Sequence, residues 1–245
     1  MKIISTFFLM IALAATAHAG GAPLSYTVDG QPYEGYFVSP SPNAPLVLLI
    51  HDWDGLTDYE VKRSDMLAAE GYAVFAADLF GAGVRPTKVE DRRQHTGELY
   101  KDRAKMRALI QGALDAAQAK GANVGNAVVM GYCFGGAAVL EFARSGADMK
   151  GFVTFHGGLQ TPAGQDYAQA KGQLLILHGT ADANITMEHF AALANELEQN
   201  GVAHEMITYG GAPHAFTVFG SDRYREDADQ KSWQRFKEFL AATLK

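Results

Sequence analysis

Five apolar runs, each ending in a polar or glycine-containing loop, constrain the fold of this chain more than any other feature. They lie at 46–50, 72–77, 127–130, 152–155 and 174–177. Short, uninterrupted apolar runs are typical of strands that are buried on both faces of a sheet. Helical periodicity fills the intervals, around 59–70, 89–120, 137–144, 187–200 and 230–244. Strands that alternate with helices predict an α/β fold with a mostly parallel central sheet flanked by helices.

Two segments precede this alternating pattern. Residues 26–38 read as a hairpin that turns at Asp29-Gly30, which predicts antiparallel strands at one edge of the sheet. Residues 1–19 combine Lys2, an apolar run over 3–15 and small residues at Ala17 and Ala19, the pattern of an export signal. The run is shorter than a bilayer span, so we predict a periplasmic or secreted protein with no membrane association after signal removal. Residues 20–245 are then expected to form a single domain, since no linker or repeat divides them.

Net charge and cysteine content narrow the range of possible functions. The net charge of −6 disfavours a nucleic-acid partner, because phosphate binding needs clustered Lys and Arg. The most basic stretch, 85–107, is interleaved with Glu and Asp and reads as a solvated helix face. A single cysteine excludes an internal disulfide and leaves one thiol that an exported protein must shield or use.

That cysteine, Cys133, lies between Gly131 and Gly135 at the end of an apolar run. The spacing is that of the nucleophile elbow, with sulfur in the place that oxygen usually takes. A sulfur at a helix N-terminus is expected to have a lowered pKa, which favours the nucleophilic thiolate. The alternative is a small, inert core residue.

A cysteine nucleophile requires a base and a carboxylate that orients it. His51, His156 and His178 end predicted strands at the ligand-binding edge of the sheet, where each could also be structural. His214 lies in a glycine-containing loop after the strand at 205–209, and Asp182 follows the preceding strand. The order nucleophile, acid, base is that of α/β-hydrolases, so we predict Cys133, Asp182 and His214, with His178 as the rival base.

The segments 131–136, 179–182 and 211–216, together with 77–80, resemble the dienelactone hydrolase family of α/β-hydrolases. The resemblance extends from about Tyr26 to Leu244. It implies a Cys133-His214-Asp182 triad that cleaves a small-molecule ester or lactone through a thioester, without metal or cofactor. It also implies an oxyanion hole formed by the backbone N–H groups of Trp53 and Phe134.

The chain departs from the family pattern at two places. Where the family has a glutamate that pairs with the resting thiol, this chain has the shorter Asp52, which could serve the sulfur or only its own loop. The family's two substrate-binding arginines are replaced by Gly81-Ala82 and Thr217-Val218. Arg85 and Arg223 are near in sequence, but nothing places them in the pocket, so we predict a preference for neutral small esters.

Aromatic residues on the predicted edge loops provide the candidate substrate pocket, namely Phe80, Tyr132 and Phe216. Two functions of other classes remain as alternatives. One is a non-catalytic small-ligand-binding protein that keeps the fold. The other is a metal hydrolase built from His51, Asp52, His178 and His214, although no helical H-E-x-x-H motif supports it.

Overall fold

A computed structural model describes residues 20–244 of the protein. Its strands are β1 Ala22–Val28, β2 Gln31–Val38, β3 Pro45–Ile50, β4 Ala73–Ala77, β5 Asn123–Tyr132, β6 Gly151–Phe155, β7 Gln173–Gly179 and β8 His204–Tyr209. They form one sheet in the order β1-β2-β4-β3-β5-β6-β7-β8. Strands β3 to β8 are parallel to one another, whereas β1 and β2 pair antiparallel at one edge. The predicted mostly parallel α/β sheet is therefore confirmed.

The edge hairpin turns where the sequence predicted it. Val28 pairs with Gln31, so the loop consists of Asp29 and Gly30 alone. Both residues have positive φ, 49° and 75°. This is the turn geometry whose twist matches that of the strands on either side, and glycine tolerates it without strain.

The helices of the described chain are α1 Asp58–Ala69, α2 Val89–Lys101, α3 Arg103–Ala119, α4 Phe134–Arg144, α5 Met187–Gln199 and α6 Glu226–Thr243. The single helix predicted over 89–120 is wrong, because the backbone leaves the helical region at Asp102 (φ −113°, ψ 79°). The Asp102 side chain accepts the N–H of Lys105 at 2.9 Å and so caps a new helix. Helix α6 begins at Glu226, four residues before the predicted start at Gln230.

Two apolar layers cover the two faces of the sheet, and strand β3 shows how they alternate. Leu48 and Ile50 face a core built with α3 and α4, whereas Val47 and Leu49 face a core built with α1 and α6. Every residue from Leu46 to Ile50 is fully buried. A strand packed on both faces can present polar groups only beyond its end, which places the functional loops at the carboxyl edge of the sheet.

Within residues 20–244, no helix combines the length and apolar content that a membrane span needs. The predicted export signal over residues 1–19 lies outside the described residues and stays a prediction.

Candidate active site

The turn between β5 and α4 holds Cys133 in a strained conformation, with φ 49° and ψ −110°. A Cβ atom on Gly131 would lie 2.3 Å from the carbonyl carbon of Gly135. A Cβ atom on Gly135 would lie 2.3 Å from the carbonyl oxygen of Ile50. Since real Cβ atoms do not approach so closely, both positions require glycine, and the tight turn predicted for this segment is confirmed.

Three side chains from distant parts of the chain meet above this turn. Nε2 of His214 lies 3.0 Å from Sγ of Cys133. Nδ1 of the same ring lies 2.7 Å from Oδ2 of Asp182. This continuous path from thiol to imidazole to carboxylate is the geometry in which a histidine can take a proton from a nucleophile while a carboxylate stabilises the resulting charge.

Asp182 is held in an environment that keeps it ionised. Its carboxylate is buried, which opposes ionisation, but hydrogen bonds from His214 and from the N–H groups of Ile185 and Asn184 outweigh burial. The two N–H groups donate to Oδ1 at 2.9 Å each, leaving Oδ2 for the imidazole. The pKa of Asp182 is lowered as a result, so the carboxylate is negative near neutral pH.

The thiol of Cys133 differs electrostatically from the sequence-based expectation. Burial, followed by the negative charge of Asp52 and its hydrogen bond to the thiol, raises the pKa of Cys133 well above its usual value. The N–H of Phe134 at the start of α4 lowers the pKa but does not outweigh these effects. The expected lowering of the pKa by the helix N-terminus is therefore wrong for this resting arrangement, and the thiol is protonated.

Asp52 serves both its own loop and the sulfur. Its Oδ1 atom accepts the backbone N–H of Trp53 at 2.5 Å, while the same carboxylate interacts with the Cys133 thiol. Burial and the nearby charge of Asp54 raise the pKa of Asp52. One methylene less than glutamate thus still suffices for the carboxylate to reach the thiol.

This arrangement affects the two predicted oxyanion-hole donors. The N–H of Trp53 is bonded to Asp52, and the N–H of Phe134 points toward the sulfur of Cys133. The assignment of these two N–H groups to an oxyanion hole stays a prediction. A substrate oxygen can use the Trp53 donor only after the Asp52 carboxylate has released it.

Glu60 is a buried acid near the site that sequence reasoning missed. Its Oε1 accepts the N–H of Asp52 at 3.3 Å, and its Oε2 accepts the N–H and the hydroxyl of Thr57 at 2.8 and 2.7 Å. Burial raises the pKa of Glu60 to about 7. The spacing Thr57-x-x-Glu60 is that of a capping box and was the available signal, since it places Glu60 in the first turn of α1.

The other histidines at this edge have structural partners. The Nδ1 of His51 lies 2.6 Å from the carbonyl oxygen of Asp52, and its Nε2 accepts the N–H of Leu79 at 3.1 Å. The Nε2 of His178, the rival base, lies 2.8 Å from the carbonyl oxygen of Ile185. His178 therefore supports the loop that carries Asp182. Within residues 20–244, no three His, Cys, Asp or Glu side chains are arranged to hold a metal ion.

Thr217 fixes the loop that carries His214. Its hydroxyl lies 2.9 Å from Nε2 of His156 and 2.8 Å from the hydroxyl of Tyr59. Its carbonyl oxygen accepts a hydrogen bond from Arg63 at 2.9 Å. The ring of His156 also packs edge-on against that of His214, with centroids 5.3 Å apart. A buried polar network thus fixes the base from behind.

The predicted aromatic pocket requires correction. Tyr132 and Phe216 are fully buried in the core layer beneath the site, so neither side chain lines an accessible cleft. Tyr132 is the last residue of β5, and its alternation with Cys133 directs it to the opposite face. Phe80 is partly exposed and packs between His51 and His95, with ring centroids 4.5 and 5.2 Å away.

A cleft of about 580 Å³ adjoins the site on the α4 side. Its wall includes Ala137, whose N–H bonds to the carbonyl of Cys133, and Ile185, whose N–H bonds to Asp182. Tyr100, whose ring contacts that of Phe134, also lines it. The volume is in the range of small-molecule pockets.

The sheet order, the strained elbow and the three connected side chains define an α/β-hydrolase. The model of the dienelactone hydrolase family matches residues 33–244, and the chain belongs to that family. Membership of this family makes it a hydrolase.

Relatives of known sequence and structure extend over nearly the whole chain. The protein usf of Aquifex pyrophilus is 25% identical over 231 residues, which are 90% of this chain and 99% of the relative. A putative carboxymethylenebutenolidase of Salmonella typhimurium is 23% identical, covering 87% of this chain and 84% of its own. The crystal structure of a dienelactone hydrolase-like promiscuous phosphotriesterase from metagenomic libraries is 30% identical, with a TM-score of 0.85 and coverage of 92% and 98%.

Proposed function

We propose that the protein hydrolyses carboxylic esters or lactones with Cys133 as the nucleophile, through a thioester intermediate. The observation that carries this proposal is the hydrogen-bonded path of 3.0 and 2.7 Å that joins Cys133, His214 and Asp182. Relatives named as carboxymethylenebutenolidases, which are lactone-cleaving by name, support the same substrate class.

Acylation starts from the protonated thiol. His214 takes the thiol proton as Sγ attacks the carbonyl carbon, and Asp182 stabilises the imidazolium that forms. Negative charge develops on the carbonyl oxygen. The N–H of Phe134 can donate a hydrogen bond to this oxygen, and the N–H of Trp53 can do so once the Asp52 carboxylate has released it. The tetrahedral intermediate collapses, the C–O bond to the alcohol breaks, and His214 returns its proton to the leaving oxygen.

Deacylation repeats the sequence with water. His214 takes a proton from a water molecule, whose oxygen attacks the thioester carbon. Collapse of the second tetrahedral intermediate breaks the C–S bond and releases the carboxylic acid. The proton returns to sulfur, which restores the resting thiol.

The raised pKa of Cys133 protects the resting thiol from side reactions. A protonated thiol is a poor nucleophile and reacts slowly with oxidants. Attack therefore requires the proton transfer to His214, which depends on a substrate carbonyl placed at the elbow.

The preference for neutral small esters was expected from the sequence because nothing placed Arg85 or Arg223 in the substrate pocket. The Arg85 side chain donates to the carbonyl groups of Val84 and Glu34, and its Nη1 lies 3.6 Å from Oδ1 of Asp78. These contacts hold it away from the cleft. Arg223 is exposed. The preference for neutral small esters stays a prediction.

The experiment that tests the proposed function is turnover of a panel of p-nitrophenyl esters and small lactones, before and after alkylation with iodoacetamide. Loss of turnover on alkylation, together with loss in Cys133→Ala, is the expected result. Turnover that survives both treatments would exclude the thiol mechanism. Addition of a chelator separates this mechanism from metal-dependent hydrolysis, since a thiol enzyme keeps its activity.

We also propose that the protein is exported, which rests on the pattern of residues 1–19 alone. Expression of the full chain in a Gram-negative host with fractionation checks this. The expected periplasmic product begins near Gly20 by N-terminal sequencing, and a cytoplasmic product that keeps Met1 would contradict it.

A further inference from the structure

His156 is a fully buried histidine whose ring lies against that of the proposed base. It directly follows β6 and has a φ of 42°, a left-handed angle that residues other than glycine rarely adopt. Its Nε2 lies 2.9 Å from the hydroxyl oxygen of Thr217. Its Nδ1 has no hydrogen-bond partner within residues 20–244, so the contact with Thr217 decides which ring nitrogen carries the proton.

A chain of hydrogen bonds connects this ring to a buried arginine on α1. The Thr217 hydroxyl lies 2.8 Å from that of Tyr59, and Nε of Arg63 donates to the Tyr59 oxygen at 3.3 Å. The Arg63 guanidinium forms an ion pair with Asp229 and also donates to the carbonyl oxygen of Thr217. These two contacts hold the arginine end of the chain in place.

The arginine fixes the direction of the hydrogen bonds along this chain. A guanidinium can only donate, so the Tyr59 oxygen accepts from Arg63 and keeps its own proton to donate. Within residues 20–244, the other hydrogen-bond partner of the Tyr59 hydroxyl is Thr217. Thr217 therefore accepts from Tyr59 and donates to Nε2 of His156, which must be the unprotonated nitrogen of that ring. A proton on Nε2 would leave the Thr217 hydroxyl proton without an acceptor in the described part of the chain.

The surroundings of His156 also keep its ring uncharged. Burial, followed by the charge of His214, lowers the pKa of His156 well below its usual range. Of the other titratable groups nearby, Asp182 acts in the opposite sense and His178 in the same sense. His214 becomes an imidazolium during the proposed acylation and deacylation, and a second charged ring with its centroid 5.3 Å away would destabilise that state. A neighbour that does not take up a proton therefore favours the charged base.

We propose that His156 is a positioning residue for His214 and is held as the neutral Nδ1–H tautomer. The chain from Arg63 through Tyr59 and Thr217 sets this tautomer. The inference rests on the proposed thiol mechanism and adds a residue to the site. His156 acts through the His214 ring, which it contacts edge-on, and takes no part in the proton transfers themselves.

The tautomer can be read by ¹⁵N NMR of wild-type protein labelled at its histidines, with the His156 signals assigned by their loss in His156→Gln. Long-range ¹H–¹⁵N correlation spectra distinguish a proton on Nδ1 from one on Nε2. We expect a protonated Nδ1 and an unprotonated Nε2 at pH 6, where an exposed histidine with a pKa of about 6.5 is mostly charged. A proton on Nε2, alone or in an imidazolium, would overturn the inference.

Two substitutions of His156 test the positioning role. His156→Gln places a neutral acceptor, the amide oxygen, close to the position of Nε2, whereas His156→Leu fills the space without an acceptor. In His156→Leu, kcat for p-nitrophenyl acetate should fall about tenfold or more with KM within about twofold, because a loosely held base is misplaced for proton transfer but not for substrate binding. His156→Gln should retain most of kcat. Equal kcat values in the two variants would leave His156 a packing role and overturn the inference.

Removal of one hydroxyl tests the hydrogen-bond chain. Tyr59→Phe leaves the Thr217 hydroxyl free to donate or accept, so it should give a mixture of the two His156 tautomers and lower kcat about threefold or more. Tyr132→Phe is the matched control, because its hydroxyl is also buried and its ring centroid lies 5.0 Å from that of Tyr59. Within residues 20–244, the Tyr132 hydroxyl has no hydrogen-bond partner, so its removal should keep the wild-type tautomer and kcat. A wild-type spectrum in Tyr59→Phe, or an equal loss in Tyr132→Phe, would contradict the role of the chain.

Thermal unfolding of each variant checks that it is folded. If Tyr59→Phe does not fold, the wild-type spectrum still decides the tautomer, and the two His156 variants decide the positioning role. Failure of the proposed function has a different signature, since Cys133→Ala would then keep wild-type turnover. The spectrum of His156 needs no substrate and is independent of that result.

Discussion

Oδ1 of Asp52 lies 2.5 Å from the backbone nitrogen of Trp53, so the carboxylate that raises the pKa of Cys133 also occupies a predicted oxyanion-hole donor. Asp52 thus acts on both groups that the proposed acylation needs, the thiol and the N–H donor. While it is bonded to Trp53, the thiol is protonated and one donor is blocked. Release of this one side chain would free the donor and remove a negative charge from the sulfur.

The first prediction concerns that charge. Asp52→Asn should lower the pKa of Cys133, because it removes the charge and the hydrogen bond that follow burial among the causes of the raised value. The pH dependence of inactivation by iodoacetamide measures this. The midpoint should move to lower pH, and inactivation at pH 8 should be faster than in the wild type. An unchanged midpoint would show that burial alone raises the pKa of the thiol.

The second prediction tests the nucleophile. Cys133→Ala should lower kcat by roughly a thousandfold or more, since no other side chain lies at the elbow to form the thioester. Its thermal unfolding should remain cooperative, because the change leaves the glycines of the turn in place. Cys133→Ser is expected to be poor but measurable, as a hydroxyl ionises less readily than a thiol. Equal activity in Cys133→Ala and wild type would exclude this role.

The third prediction distinguishes the two candidate bases. His214→Ala should abolish turnover, because the His214 ring joins Sγ to the Asp182 carboxylate. His178→Ala should act on the Asp182 loop instead, with a smaller loss of activity. Asp182→Asn should cost about 10⁴ in kcat if the pair behaves as in serine triads. The reverse pattern, with His178→Ala inactive and His214→Ala active, would reassign the base.

Local sequence patterns predicted the sheet and the placement of the site. The apolar runs that became β3 to β7 are buried on both faces, and Asp29-Gly30 can form a two-residue turn. Cys133, Asp182 and His214 each follow a strand, and parallel strands bring their carboxyl ends to one edge. The placement of site residues that follows from chain order in this way can be predicted from one sequence.

Long-range electrostatics and packing were not readable in the same way. The pKa of Cys133 depends on how Asp52, 81 positions away, is oriented after folding, and the helix dipole alone gave the wrong direction. Arg103 reaches the cleft because the chain breaks at Asp102, where a helix-compatible residue adopts non-helical angles. Tyr132 and Phe216 were misplaced because aromatic residues near a strand end fit either face until the register is known.

The fourth prediction concerns the support of His214. Thr217→Val keeps the volume but removes the hydroxyl that joins His156 and Tyr59. Nε2 of His156 then loses its partner, while the Tyr59 hydroxyl still accepts a hydrogen bond from Nε of Arg63 at 3.3 Å. We expect a loss of about 1–3 kcal/mol in the free energy of unfolding by urea denaturation. We also expect a fall of roughly tenfold in kcat, because a loosened loop misplaces the base. Thr217→Ser keeps the hydroxyl and should retain most of both. A valine variant as active as the serine variant would show that backbone contacts alone position His214.

The last prediction concerns pH and stability. The pKa of Glu60 rises from its ordinary value of 4.5 to about 7 in the folded protein, chiefly through burial. Between these values the folded state holds a proton that the unfolded state has lost, so this group's contribution to stability is complete below pH 4.5 and is lost as pH rises to about 7. Relative to Glu60→Gln, which cannot ionise, the wild type should therefore lose on the order of 2–3 kcal/mol across this window. Urea denaturation of both proteins at several pH values measures the difference, and Glu90→Gln, on the exposed first turn of α2, controls for the removal of one carboxylate. If the wild-type and Glu60→Gln curves run parallel from pH 4.5 to 7, Glu60 is ionised throughout, and its bonds to Asp52 and Thr57 compensate fully for its burial.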